Sequence, residues 1–171
     1  MKETKVIALS GLATSFALIF IIIGGYFPTL DISCLFMASL MVMLPLTKNS
    51  IKGAILCYIS VFLLSFIFTF GHFQITIAFG LFFGAHPIVN YIQSTKIKKP
   101  IIITIVKTIW FLIVAFIMFY ILKMFVVENE LINKFLPLVI LIGGSVFFVI
   151  YDFMMLRFQK NLNIIIKRLK L

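Results

Sequence analysis

Acidic residues are scarce in this chain. Only 5 Asp and Glu stand among 171 residues, and charged residues of both signs make up 12%. Soluble domains carry roughly 25% charge, so a soluble globular fold is excluded. Cysteine is also rare, with 2 in the chain. In the threading given below, Cys34 and Cys57 fall near opposite faces of a membrane, which excludes a disulfide between them and leaves two small apolar packing residues. The 2 histidines have no second Cys or acidic group at ligand spacing, so no metal site is expected. A glycine-rich phosphate loop, a Ser-His-Asp arrangement and a carboxylate pair are all missing, as is any intramembrane-protease motif. The expectation is a protein that is not an enzyme and that carries no cofactor.

Long apolar runs are what the chain has in abundance. Hydrophobic residues make up 63%, and the mean hydropathy is +1.23. A membrane span takes about 20 apolar residues, and six such runs can be traced. They are Val6 to Phe27, Ile32 to Leu46, Gly53 to Phe70, Ile75 to Ile92, Ile101 to Val127 and Phe135 to Phe158. The second run is short for a span at about 1.5 Å per residue, so it is expected to start earlier, near Thr29, or to end in an irregular segment. The first is too long for the apolar core of a signal peptide and lacks a small-residue cleavage site after it, so it reads as a retained span. The fold class expected is an all-α polytopic membrane protein over residues 1–171, a single membrane domain with short loops.

Basic residues set the orientation. Of the 15 Lys and Arg, all but Lys123 and Lys134 collect on one side when the runs are threaded back and forth. That side holds Lys2 and Lys5, Lys48 and Lys52, Lys96, Lys98 and Lys99, Lys107, and the tail from Arg157 onward. The other side holds Asp31, Glu128 and Glu130. The positive-inside rule then places both termini in the cytoplasm. The net charge of +10 is explained by this rule and not by nucleic-acid binding. The tail Asn161 to Leu171 interleaves Ile and Leu with Lys and Arg and reads as an interfacial helix drawn to anionic lipid.

Four local features remain. Gly11, Ala13, Ser15 and Ala17 form smooth stripes at four-residue spacing on helix one, suited to packing in the bundle or to docking another membrane protein. Gly80 and Gly84 repeat that spacing in helix four, where internal packing accounts for it. His86, Asn90, Lys107 and Asp152 lie at similar depth within the membrane, with Tyr151 beside the last. An unpaired charge there costs about 2.5–3.5 kcal/mol, so Lys107 and Asp152 are expected to pair across helices five and six. Lys107 has a snorkelling alternative, and a proton or ion relay would need more carboxylates. Finally, Tyr26, Thr29, Asp31, His72 and Gln74, with Pro28, Ser33, Glu128 and Glu130, form the outer polar rim. Beside it stand several of the 21 Phe residues, as suits a pocket for a small, partly apolar nutrient.

The chain as a whole resembles the substrate-binding S component of energy-coupling factor importers, ATP-driven bacterial transporters of vitamins and other nutrients. The size, the six spans and the stretch Ala13-Thr14-Ser15-Phe16-Ala17 carry the resemblance, the last being similar to the family's Ala-x-x-x-Ala docking motif. Leu9-Ser10-Gly11-Leu12, Phe82-Phe83-Gly84-Ala85-His86-Pro87 and Ile150-Tyr151-Asp152 are also similar to a poorly characterised bacterial group with S-component-like architecture. That group is expected to have Tyr before the Pro and Lys three residues after it, where this chain has His86 and Asn90. The resemblance implies a multi-pass protein of the bacterial cytoplasmic membrane that binds a nutrient at its outer half. It would dock on a membrane coupling protein through Gly11, Ala13 and Ala17, with two cytoplasmic ATPases as further partners. Two other classes stay open: a non-transporting scaffold of envelope assembly, similar in size to the rod-shape membrane protein, and a free-standing small permease coupled through Lys107 and Asp152.

Overall fold

The computed structural model describes residues 2–96, 100–121 and 130–168. Six helical stretches among them are long and apolar enough to cross a membrane. Helix α1 (Lys2–Tyr26) returns through a single 3-10 turn, Pro28–Leu30, into α2 (Asp31–Leu46). Proline at the first position of that turn fixes φ where the missing N–H costs nothing. Turn and helix together give the second span its length, Pro28 to Leu46, so the short run does begin earlier than its apolar residues suggest.

The turn from α2 to α3 (Ile51–Phe68) is built by Asn49 and Ser50. Asn49 takes φ 57°, a left-handed conformation that Asn tolerates better than most residues. Its side-chain Oδ1 accepts a hydrogen bond from the Tyr91 hydroxyl at 2.9 Å. Ser50 caps α3, its Oγ accepting from the Gly53 N–H at 3.1 Å. Helix one crosses α3 closely here, and a side chain at Gly53 would meet Val6 and Ser10. At the far end of α3, Gly71 with φ +86° makes the turn into the fourth span.

That fourth span is not one helix. It consists of α4 (Phe73–Ala78), a π-helical segment (Phe79–Phe83), a break at Gly84 and Ala85, and α5 (His86–Lys96). The sequence supplies the cause. Pro87 has no N–H to offer the carbonyl of Phe83, four residues earlier, and its ring would clash with it. The Ser39 hydroxyl from α2 donates to that Phe83 carbonyl instead. The Tyr58 hydroxyl from α3 donates to the Gly80 carbonyl at 2.7 Å. An unsatisfied backbone group in lipid costs several kcal/mol, so these two side chains make the irregular segment tolerable. The Gly80 and Gly84 spacing serves internal packing, since side chains there would run into Phe62, Tyr58 and Phe79.

The last two helices are α6 (Pro100–Tyr120) and α7 (Glu130–Arg168). The expected extension of the fifth run to Val127 falls outside the described residues. Helix α7 has 39 residues, about 58 Å at 1.5 Å per residue, roughly twice the thickness of a hydrocarbon core. The basic tail is therefore no separate interfacial helix as far as Arg168. It continues α7 without interruption, and Leu162 packs on the core while Ile166 is buried.

Helix α2 lies at the centre, in contact with α1, α3, α5 and α7. Two ends of the bundle can be told apart by contact. At one, the Tyr26 and His72 rings pack at 5.0 Å, tilted by 58°, joining the 26–31 turn to the 69–73 turn. At the other, the Asn49–Tyr91 bond joins the α2–α3 turn to α5, and the start of α1 lies over Ser50 and Lys52. Lys5, Lys48, Lys52 and the Lys160 segment of α7 gather at this second, basic end.

Candidate functional site: a charged network below an apolar cavity

The polar residues of the inner cluster come together. Lys107 Nζ on α6 donates to Asp152 Oδ1 on α7 at 2.6 Å and to Asn90 Oδ1 on α5 at 2.7 Å. His86 Nε2, also on α5, lies 3.0 Å from the same Asp152 oxygen, which as a carboxylate oxygen accepts from both. His86 and Asn90 are four residues apart and so project from one face of α5, toward the α6–α7 pair. All four residues are buried, with Lys107 2% exposed. Lys107 therefore does not snorkel to the headgroups but spends its charge on the network. His86 Nδ1 and Asn90 Nδ2 are buried without a hydrogen-bond partner among the described residues.

Phe82 closes the network on the side away from the basic end. Its ring packs on His86 at 5.1 Å and on Trp110, Phe111, Phe148 and Tyr151 at 4.9–6.0 Å. Tyr151 in turn reaches Ser39 at 3.1 Å, tying α7 to the same serine that satisfies the broken fourth span. Above Phe82 lies a cavity of about 380 Å³, between α2, the π segment, α6 and α7. Its wall is made of Phe82, Phe83, Phe111 and Phe147 with aliphatic residues such as Val114 and Val139, and among the described residues Asp31 is the one charged residue that lines it. Gly143 and Gly144 of α7 make room on the far side, and a side chain at Gly143 would meet nothing nearer than Val139 at 4.0 Å.

The expected outer rim divides. Asp31 lines the cavity, whereas Tyr26, Thr29, His72 and Gln74 are exposed and form no part of its lining. Tyr26 and His72 pack against each other instead. The side chains of Glu128 and Glu130 lie outside the described residues. The cavity-lining residues on α6 and α7 carry no polar signal in the sequence, and the Gly143-Gly144 pair, not singled out above, is a signal that could have pointed to space there.

The helix-one stripe also divides between an inner and an outer face. Ala13 and Ala17 are 0% exposed and belong to the hydrophobic core with α2 and α3. Helix one buries Ser10, Ala13, Ala17 and Ile21 at three- and four-residue steps, and small side chains let the neighbouring backbones approach. Gly11 and Ser15 are on the opposite, exposed face, with nothing within 4 Å of Gly11's missing side chain.

Cys34 and Cys57 are buried and free. Among the described residues, no group of three or more His, Cys, Asp or Glu is placed to hold a metal ion. Comparison with family models, with characterised proteins and with solved structures finds no match to this chain.

Proposed function

We propose that this protein is a substrate-binding membrane subunit of an ATP-driven importer of the energy-coupling factor type, taking a small nutrient. The observation that carries the reading is the cavity of about 380 Å³, within the range of small-molecule sites and closed at its base by the Phe82 cluster. With the basic end in the cytoplasm, as the distribution of Lys and Arg requires, this cavity opens in the outer half of the membrane. A ligand arriving from outside would meet Asp31 first and the aromatic wall beneath it.

Release to the inside needs a coupled movement and an energy source to drive it. A coupling protein and two ATPases supply it in this reading. The exposed face of helix one, with Gly11 and Ser15, is the docking surface it assigns, since Ala13 and Ala17 are occupied by internal packing. The buried Lys107–Asp152 pair favours one other reading, a free-standing permease in which protonation of Asp152 would release Lys107 and loosen α6 and α7 from α5.

The experiment is to tag the chain in its native host, solubilise it gently, and identify the proteins and small molecules that co-purify. Two ATPases with a multi-span coupling protein are the expected result. A solitary chain whose uptake in liposomes is abolished by an uncoupler would replace the importer with the permease. Cell-wall enzymes in its place would replace both with an envelope scaffold.

A further inference from the structure

The cavity combines two features that the reading above does not use. Its wall is almost wholly carbon, with four phenylalanine rings, so it offers a ligand's body no hydrogen bonds. Asp31 at its mouth is a carboxylate, half-buried at the first residue of α2. One of its oxygens, Oδ1, accepts from the Ile32 N–H at 2.5 Å. The other is not engaged by any described protein group, and Asp31 forms no ion pair among the described residues.

An anionic ligand would be repelled at this mouth, and a sugar or other polyol would lose its hydrogen bonds against the wall. A cation suits both features, because aromatic faces attract positive charge and the carboxylate completes the attraction. The body of that cation must be apolar to gain from the wall. Resting on the reading of the cavity as a ligand site, we infer that it takes a hydrophobic organic cation, an ammonium group held at Asp31 with its apolar body against Phe82, Phe83, Phe111 and Phe147.

The chain carries its own reporter. It has a single tryptophan, Trp110, whose ring lies 4.9 Å from that of Phe82 at the cavity floor. The probes are benzyltrimethylammonium and its uncharged carbon isostere neopentylbenzene, titrated into the full chain in detergent while Trp110 emission is followed. The quantity read is the ratio of the two half-saturation concentrations, in which each probe's partition into detergent cancels between variants. The cation should bind more tightly than its isostere. Asp31→Asn, which keeps an oxygen for the Ile32 N–H, should shrink that preference by up to about fivefold. Gly143→Leu, which fills open space, should abolish the response to both probes. Equal ratios in wild type and Asp31→Asn, with Gly143→Leu still blocking both probes, overturn the cation inference and leave the cavity as a ligand site. Absence of any response to either probe in the wild type overturns the inference, and co-purification then judges the importer reading separately.

Discussion

Lys107 Nζ lies 2.6 Å from Asp152 Oδ1, and this contact joins the two last helices at the depth where α5 presents His86 and Asn90. Three helices thus meet at one carboxylate. Above it α6 and α7 part and, with α2 and the π segment, form the cavity, so the network is the tie at the base of an opening. Breaking a buried pair by removing one partner costs about 3–5 kcal/mol, far more than the roughly 0.6 kcal/mol of an average hydrogen bond between membrane helices. The charge, and not the hydrogen-bond count, decides the outcome.

Asp152→Asn is accordingly expected to destabilise the protein by about 3 kcal/mol, because it leaves Lys107 charged and buried. Asn keeps an oxygen for His86 Nε2, so the loss is specific to the charge. Adding Lys107→Met should then recover most of the stability. Thermal unfolding of the two single variants and the double variant in detergent measures the coupling. A double variant as unstable as the sum of the singles would mean that the pair contributes nothing.

Ser39 supports the break in the fourth span. Its hydroxyl donates to the Phe83 carbonyl that Pro87 cannot serve, and it faces the Tyr151 hydroxyl at 3.1 Å. Ser39→Ala should cost about 1–3 kcal/mol, the penalty for a buried carbonyl without a donor. Ser39→Thr keeps the hydroxyl but adds a methyl in a fully buried position, and so is no clean control. The double variant Ser39→Ala with Pro87→Ala is the better test. If the missing N–H of Pro87 is the cause, restoring it should offset much of the Ser39→Ala loss in thermal unfolding.

How much of this was legible beforehand differs by feature. The six spans were, because about 20 apolar residues in a row admit few other structures. Matched depth brought Lys107 and Asp152 together on paper, since each is costly alone. The third and fourth members, His86 and Asn90, were grouped by depth, but the shared carboxylate oxygen was not readable. The broken fourth span is written in Pro87 with the preceding Gly84, but its apolar residues continue through the break and so read as one run. The cavity was hidden for a different reason. Phe111, Val114 and Phe147 look alike whether they face lipid or a pocket, as hydrophobicity carries no directional signal within a membrane. Tail residues Asn161 to Arg168 have the composition of an interfacial helix, yet their apolar side has a place against the bundle.

Gly143→Leu tests the cavity without disturbing the fold. A Cβ there meets only Val139, at 4.0 Å, and the rest of the side chain has the cavity to enter, so thermal stability should stay within about 1 kcal/mol of the wild type or rise slightly. Uptake or binding of the native nutrient should be lost, as the added side chain occupies ligand volume. Unimpaired uptake with unchanged stability would place the ligand elsewhere.

Ala13→Trp and Gly11→Trp separate the two faces of helix one. Ala13 is 0% exposed among α2 and α3, so an indole there has no room and should cost well over the 1–3 kcal/mol typical of overpacking, with loss of folded protein. Gly11 has nothing within 4 Å, so an indole there should leave the folded yield and the melting temperature unchanged. If the exposed face docks a coupling protein, Gly11→Trp abolishes co-purification of the ATPases while ligand binding persists, because the cavity lies across the bundle between α2, α6 and α7. A Gly11→Trp chain that still brings the ATPases down removes helix one from the docking surface. A stable, folded Ala13→Trp chain would contradict the packing of helix one against its neighbours, and with it the assignment of the Ala13 and Ala17 stripe to the interior.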